Sequence, residues 1–402
     1  MLSYDEALER VLQAVEPLAV DDVPLERALG CALARDIAAP HDLPPFANSA
    51  MDGYAVRAHD TVGAGPNSPV RLRLVGEVPA GGTEDVPVAE GCAVRIMTGA
   101  PIPSGADAVV MVEDTRLEGE CVLVYAEVES GRHIRSAGED VAAGELVMGA
   151  GDELRPQHLG MLAAMGFASA PVIRRPRVAL LTTGDEVVEP GAPLGRGQVR
   201  NSNRYSVGAQ VRESGAELTF FRHVPDDLEQ ARLALSEAAS DADMVVSVGG
   251  VSMGERDCVR AAMEEAGQVS FWRAAIKPGK PFLFGRVLGV PCFGLPGNPV
   301  SAMVTFELFV RPALRRMAGH KVLHRPRVTA RLACRVEHEP GRREFLRARV
   351  EWTQDGLVCH PARGQGSAML SGMLSANALA IVPEGATRLE AGDLVECLML
   401  GL

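Results

Sequence analysis

Between positions 178 and 314 the chain alternates short apolar runs with segments of helical period, and few folds accept that alternation. Residues 178–182, 217–224, 244–248, 270–276 and 290–295 read as strands. Residues 204–214, 228–240 and 256–267, and a long segment after Asn298, read as helices. Strands that are continuous apolar runs have no side to turn to water, so they predict a parallel sheet covered on both faces by helices, a doubly wound α/β domain. In such a sheet ligands bind outside the carboxyl ends of the strands, near the point where strand order reverses. The residues that follow each strand are therefore where chemistry is expected.

Those residues are of few kinds. Thr183-Gly184-Asp185-Glu186 follows the first strand and Asp226-Asp227 the second. Gly249-Gly250-Val251-Ser252-Met253-Gly254-Glu255-Arg256-Asp257 follows the third. Lys277-Pro278-Gly279-Lys280-Pro281 and Pro296-Gly297-Asn298-Pro299 follow the last two. Asn298 is placed as an N-cap and Pro299 as the first helical residue, so that helix start offers backbone N–H groups to an anion. Lys277 and Lys280 add two ammonium groups, and Gly279 between them leaves room for a ligand to approach. Read alone, these two loops are equally well a capped helix with two surface lysines, and each acidic pair a helix cap or solvated turn. Collected on one sheet edge, the carboxylates, glycines and lysines suit Mg²⁺ bridging a phosphate.

The flanks differ in period. Ser3 and Glu6 form a capping box ahead of an amphipathic helix that Pro17 ends, and a second short helix is expected at 25–35. From 54 to 141 short alternating runs punctuated by Gly and Pro indicate a β-rich domain. Helical period returns at 157–166, and Arg174-Arg175-Pro176 marks a boundary. Beyond Pro326 the alternation is β-like again and predicts a small barrel.

Composition sets limits on partners. With 402 residues and 47 % hydrophobic residues, a folded multidomain protein is expected. No apolar run reaches the roughly 18 residues of a membrane span, and the N-terminus lacks a basic-then-apolar signal, so the expected location is the cytoplasm with no membrane partner. The 8 cysteines are scattered, with no Cys-x-x-Cys pair, and read as reduced core residues. A net charge of −12 argues against nucleic acid, and an anionic substrate needs local lysines or a divalent cation.

Two stretches lie outside the α/β domain. Asn48-Ser49-Ala50-Met51-Asp52-Gly53-Tyr54-Ala55-Val56 holds a carboxylate in a Gly-containing turn, where Asp-Gly alone reads as an ordinary hairpin turn. Arg95-Ile96-Met97-Thr98-Gly99-Ala100-Pro101 places a hydroxyl at a strand end. Together with Gly138-Glu139-Asp140, Asn201-Ser202-Asn203, the strand-end loops above and the stretch 364–377, these carry a resemblance. The chain resembles the molybdopterin molybdotransferase (molybdenum insertase) family, of the bacterial MoeA and gephyrin E-domain type.

The resemblance implies a four-part subunit, with an extended helical segment (1–25 and 143–176), a β-rich domain inserted into it (26–142), the α/β domain (177–322) and a C-terminal β-barrel (323–402), and a homodimer with shared active sites. It also implies an enzyme that takes adenylylated molybdopterin, releases AMP with Mg²⁺ or another divalent cation, and loads molybdate onto the dithiolene to form molybdenum cofactor. Carried over by position, Asp52, Thr98, Asp140, Lys277 and Lys280 fall on catalytic positions, and Glu186, Asp226 and Asp257 on metal positions. Ser252, Gly297, Asn298, Arg347 and Ser367 fall on substrate-binding positions, the last two in the part that matches least. Implied partners are the molybdopterin adenylyltransferase and recipient molybdoenzymes. Ala47 stands where the family often has Asp, and Val187 where it often has Leu. A free-standing adenylyltransferase would lack the flanking domains, and a pure scaffold would not need this set of carboxylates and lysines.

Overall fold

The computed structural model describes residues 1–82, 84–251 and 258–401. They form two compact units, one of Met1–Ala34, Gly151–Arg155 and Ser169–Leu402, the other of Arg35–Ala150 and Pro156–Ala168.

At the centre of the first unit is a six-stranded sheet. Its order is Glu217–Val224, Arg177–Thr183, Met244–Val248, Val290–Leu295, Leu283–Val287, Gly267–Trp272. Successive residues of a strand point to opposite faces, and the burial follows that rule. Leu180, Val246 and Phe293 join one core with the helix Ser202–Glu213, whereas Ala179, Leu181, Val245 and Cys292 join another with Leu228–Asp241 and Cys258–Ala266. Asn201 and Asp227 cap two of these helices through their side chains.

The sheet corrects the expectation of an all-parallel arrangement. Five strands run in one direction, but Leu283–Val287 runs antiparallel to both neighbours. It joins Val290–Leu295 through a two-residue turn in which Leu288 (φ 50°) and Gly289 (φ 83°) are both left-handed. That geometry favours Asn-Gly, and a leucine in the first position conceals it from sequence reading. The strand expected at 270–276 runs over Gly267–Trp272, and a separate pair, Ile276–Lys277, leaves the sheet to join another.

The helix expected at 25–35 is only one turn, Leu25–Arg27. Its surroundings prefer extended backbone: Val20–Pro24 pairs with Ser169–Ile173, and Ala32 and Leu33 bridge to Glu153 and Val172. Tertiary pairing thus overrides local propensity. The N-terminal helix Tyr4–Gln13 forms as expected, with its capping box complete. Tyr4 packs on Phe309 and Phe345, ring centroids 5.6 and 5.4 Å away.

The helix opened by Pro299 runs to Met317, with a π segment at Phe306–Val310 just ahead of Pro312, which has no N–H to donate. The closing barrel has five strands in a ring. Arg343–Thr353 pairs with both Gly356–Pro361 and Ala378–Val382, and Arg327–Leu332 and Leu394–Met399 complete the circuit. Ile276–Lys277 adds in parallel to the start of Arg343–Thr353, so the α/β domain and the barrel share a sheet edge.

The second unit is built on a mixed six-stranded sheet in the order Ala108–Met111, Gly53–Val56, Cys92–Ile96, Val70–Val78, Cys121–Val124, Thr115–Glu118. Gly53 has to be glycine, because a Cβ there would lie 2.0 Å from the Val110 carbonyl oxygen. All eight cysteines are free thiols, and no helix among the described residues is long and apolar enough to cross a membrane.

Candidate functional site

Strand order reverses beside Arg177–Thr183: the chain goes to one side for Glu217–Val224 and to the other for Met244–Val248. The crevice this creates is a cavity of about 770 Å³ at the carboxyl ends of these strands. Glu186, Asp226, Gly297 and Asn298, four of the expected site residues, line it. Gly249 (φ 100°) floors the crevice, and a Cβ there would stand 2.6 Å from Thr183 Oγ1. Two buried wall atoms, Thr183 Oγ1 and Asn203 Oδ1, have no hydrogen-bond partner among the described residues. Buried polar atoms usually have one, so this wall fits a polar ligand better than an apolar one.

The acidic loops on the rim are tied to each other. Asp226 N–H donates to Asp185 Oδ1 (3.1 Å), and Asp185 N–H donates to Asp226 Oδ2 (3.4 Å). Glu186 is exposed at the same rim. Ser252 and Asp257 lie outside the described residues. Among the described residues no group of three or more His, Cys, Asp or Glu could hold a metal ion by itself. Glu186 and Asp226 are the expected carboxylates on this rim that could hold a divalent cation, since Mg²⁺ needs only one or two carboxylates from the protein.

The 296–299 loop is held by the helix Ser202–Glu213 on one hand and by the C-terminal domain on the other. Asn203 Nδ2 donates to the Gly297 carbonyl (2.7 Å), and Asn298 Nδ2 donates to Ser367 Oγ (3.0 Å). Asn298 holds the N-cap position ahead of Pro299 as expected, but its side chain makes no capping bond to the helix. The Val300 N–H is not open to an anion either, because it donates to the Ser367 carbonyl (3.1 Å). Arg347, only 1 % exposed, donates to the carbonyls of Gly364 (2.8 Å) and Gly366 (3.2 Å). Burial lowers the pKa of its guanidinium. Arg347 thus reaches the cavity only through the loop it holds, whose Ala368 and Leu370 line the wall.

The two lysines part ways. Lys280 is exposed, one residue before Pro281 of the cavity wall. Lys277 Nζ lies 2.9 Å from Glu344 Oε1, and Glu344 is 4 % exposed on the barrel. Neither Glu344 nor its other partner, His338, stands out in the sequence, since each is one charged or polar residue in a β-rich stretch.

In the second unit Asp52 and Thr98 meet across adjacent strand ends. Asp52 Oδ1 accepts from Thr98 N–H and Thr98 Oγ1, both at 2.7 Å. These two bonds, the backbone one first, hold the Asp52 carboxyl below the usual carboxylate range. Both residues are exposed. Asp140, in the same unit and also exposed, is fixed by its N–H to the Leu43 carbonyl (3.0 Å).

Comparison with known proteins agrees along the whole length. Residues 2–166 match the family model described as the MoeA N-terminal region (domain I and II). Residues 179–316 match a probable molybdopterin binding domain, and 329–400 the MoeA C-terminal region (domain IV). The chain is 40 % identical to molybdopterin molybdenumtransferase 2 of Mycobacterium tuberculosis over 397 residues, covering 97 % of this chain and 96 % of the relative. It is 36 % identical to the molybdopterin molybdenumtransferase of Haemophilus influenzae, covering 98 % of each. A solved structure of the moeA molybdopterin biosynthesis protein of Pyrococcus horikoshii superposes with a TM-score of 0.83 at 32 % identity, covering 99 % of this chain and 100 % of that one. Likeness of this degree over nearly the full length, in a chain whose switch-point cavity sits inside the molybdopterin-binding match, means that the protein belongs to the molybdopterin molybdenumtransferase family.

Proposed function

We propose that this protein is a molybdenum insertase of the cytoplasm that takes adenylylated molybdopterin, releases AMP and transfers molybdenum from molybdate to the dithiolene. The observation that carries this reading is the switch-point cavity, which joins carboxylates, a polar wall and two Gly/Pro loops at one sheet edge. Glu186 and Asp226 would hold a divalent cation on its rim, which when bound supplies positive charge to the phosphate oxygens of the substrate. Asn298, the backbone of Gly297 and the open floor at Gly249 orient the phosphate end of the substrate. Lys277 and Lys280 supply ammonium groups to oxyanions, and Ser252 and Asp257 complete the set from the loop after Met244–Val248. Purified protein given adenylylated molybdopterin, Mg²⁺ and molybdate should release AMP and form cofactor. No AMP above the protein-free control would overturn the proposal, and Mg²⁺ dependence as in wild type in both Glu186→Gln and Asp257→Asn would remove the metal assignment.

The same reading makes the protein a homodimer whose sites combine Asp52 and Thr98 of one subunit with the cavity of the other. Asp52→Ala and Asp257→Ala proteins, each strongly slowed alone, should recover activity when subunits exchange, because each heterodimer regains one intact site. Activity that stays at background would assign all these residues to a single subunit's site.

A further inference from the structure

We infer that Glu344, steadied by His338, is the positioning residue that aims Lys277, and that the C-terminal barrel contributes to the reaction in this way. The inference rests on the proposed function for the meaning of Lys277, but not for the geometry that ties the three residues together. Ile276–Lys277 pairs in parallel with the start of the barrel strand Arg343–Thr353, in a register that sets Lys277 opposite Glu344. Arg343 N–H donates to the Ala275 carbonyl (2.9 Å) and locks that register. The two side chains then meet at 2.9 Å.

Glu344 is not a surface partner that happened to lie near. Its side chain is 5 % exposed, its Oε2 lies 2.8 Å from His338 Nδ1, and the His338 side chain is fully buried. A carboxylate only accepts, so the imidazole Nδ1–H donates and fixes the plane of the carboxylate. The remaining oxygen can then address Lys277 from one direction. His338 Nε2 has no partner among the described residues, so the ring is tied down through Glu344 and not through a wider network. A lysine side chain has four rotatable bonds and about 2 kcal/mol of rotamer entropy to lose on being placed, and a buried carboxylate that has already lost its own freedom places it at low cost.

A purely structural ion pair would have no reason to involve this lysine. Lys277 begins the Lys-Pro-Gly-Lys-Pro loop, Pro281 of that loop lines the cavity, and the Lys277 side chain is 39 % exposed. The same barrel strand carries Arg347, which holds the 364–370 loop against Asn298. One strand therefore anchors both glycine-proline loops of the cavity, Glu344 for the first and Arg347 for the second.

The test compares wild type, Lys277→Met, Glu344→Gln, Glu344→Ala and the double variant Glu344→Ala/Lys277→Met. In cofactor formation, Glu344→Ala should raise the half-saturating molybdate concentration about tenfold, the scale of one charge-assisted contact, with the maximal rate largely kept. Glu344→Gln retains hydrogen bonding without charge and should fall between, and the double variant should be no worse than Lys277→Met. Unchanged half-saturation in Glu344→Ala alongside a lowered Tm, or effects that add in the double variant, would overturn the inference. A second readout needs no turnover: in protein labelled with ¹³Cε-lysine, the Lys277 resonance, assigned by its loss in Lys277→Met, should move in Glu344→Gln and in His338→Ala. If wild type forms no cofactor, the proposed function fails while this resonance still decides the positioning; a Lys277 signal unmoved by either substitution rejects it.

Discussion

The barrel-backed side of the cavity and the Asp52 turn of the second unit hold charged groups in opposite ways. Arg347 and Glu344 are buried and held from several directions, and each acts on the cavity through something else, a loop or a lysine. Asp52 is exposed, and among the described residues its side chain is hydrogen-bonded by Thr98, at one of its two carboxylate oxygens. In the first region position comes from packing, so a substitution should damage fold and site together. In the second, position comes from two hydrogen bonds at the surface, and a substitution should damage only the chemistry.

The sharpest way to break this contrast is Arg347→Ala. It removes the Arg347 donor from the Gly364 carbonyl, leaves the Gly366 carbonyl only the Met369 N–H, and opens a void, and should cost about 3 kcal/mol in chemical denaturation, with activity lost in parallel. Lysine at that position cannot span both carbonyls and should recover only part. Asp52→Ala is the counterpart. It should slow cofactor formation about 100-fold while the chemical-denaturation midpoint stays that of wild type. A comparable loss of stability in both variants would erase the distinction.

Acid sharpens the comparison further. His320 in the first unit is buried, and burial together with the Arg315 cation lowers its pKa to about 4, against the pull of Glu153 3.7 Å away. Between pH 6.5 and 4 the unfolded chain takes up a proton there that the folded chain refuses, so stability rises with pH across that window and falls on acidification. The change should be on the order of 2 kcal/mol and should flatten in His320→Gln. Equal pH dependence in wild type and variant would mean that other groups set the acid limit.

The smallest effect belongs to Thr98→Ala. With a depressed pKa, Asp52 stabilises the fold above the ordinary carboxylate range, and that contribution is lost only as pH falls below it. Because the group is exposed, the readout is its own titration: an NMR titration should show Asp52 with a midpoint below that of a free carboxyl, and Thr98→Ala should move that midpoint upward.

Much of this was legible before the fold was known, where the deciding interactions are close in sequence. The capping box at Ser3 and Glu6, the Pro299 helix start and the strands Met244–Val248 and Val290–Leu295 follow from neighbours a few residues apart. The cavity loops were legible for a related reason, since a doubly wound sheet puts whatever follows its strands on one edge. The helix misread at 25–35 fails for the converse reason, because distant pairing decides it, whereas the strand Leu283–Val287 went unnoticed because the Leu288-Gly289 turn that pairs it with Val290–Leu295 lacks the usual Asn-Gly signal.

The sequence by itself determined which elements form and which residue types crowd the carboxyl edge, because hydrophobic period, capping and turn chemistry act over one or two turns of chain. Only the tertiary structure decided what those residues face. Lys277 meets Glu344 through a strand register spanning two domains, Val300 N–H goes to Ser367 and not to an anion, and Arg347 turns inward to Gly364 and Gly366. Each of these depends on the closure of a barrel whose strands are far apart in sequence, and side-chain direction is fixed only when that closure sets the register.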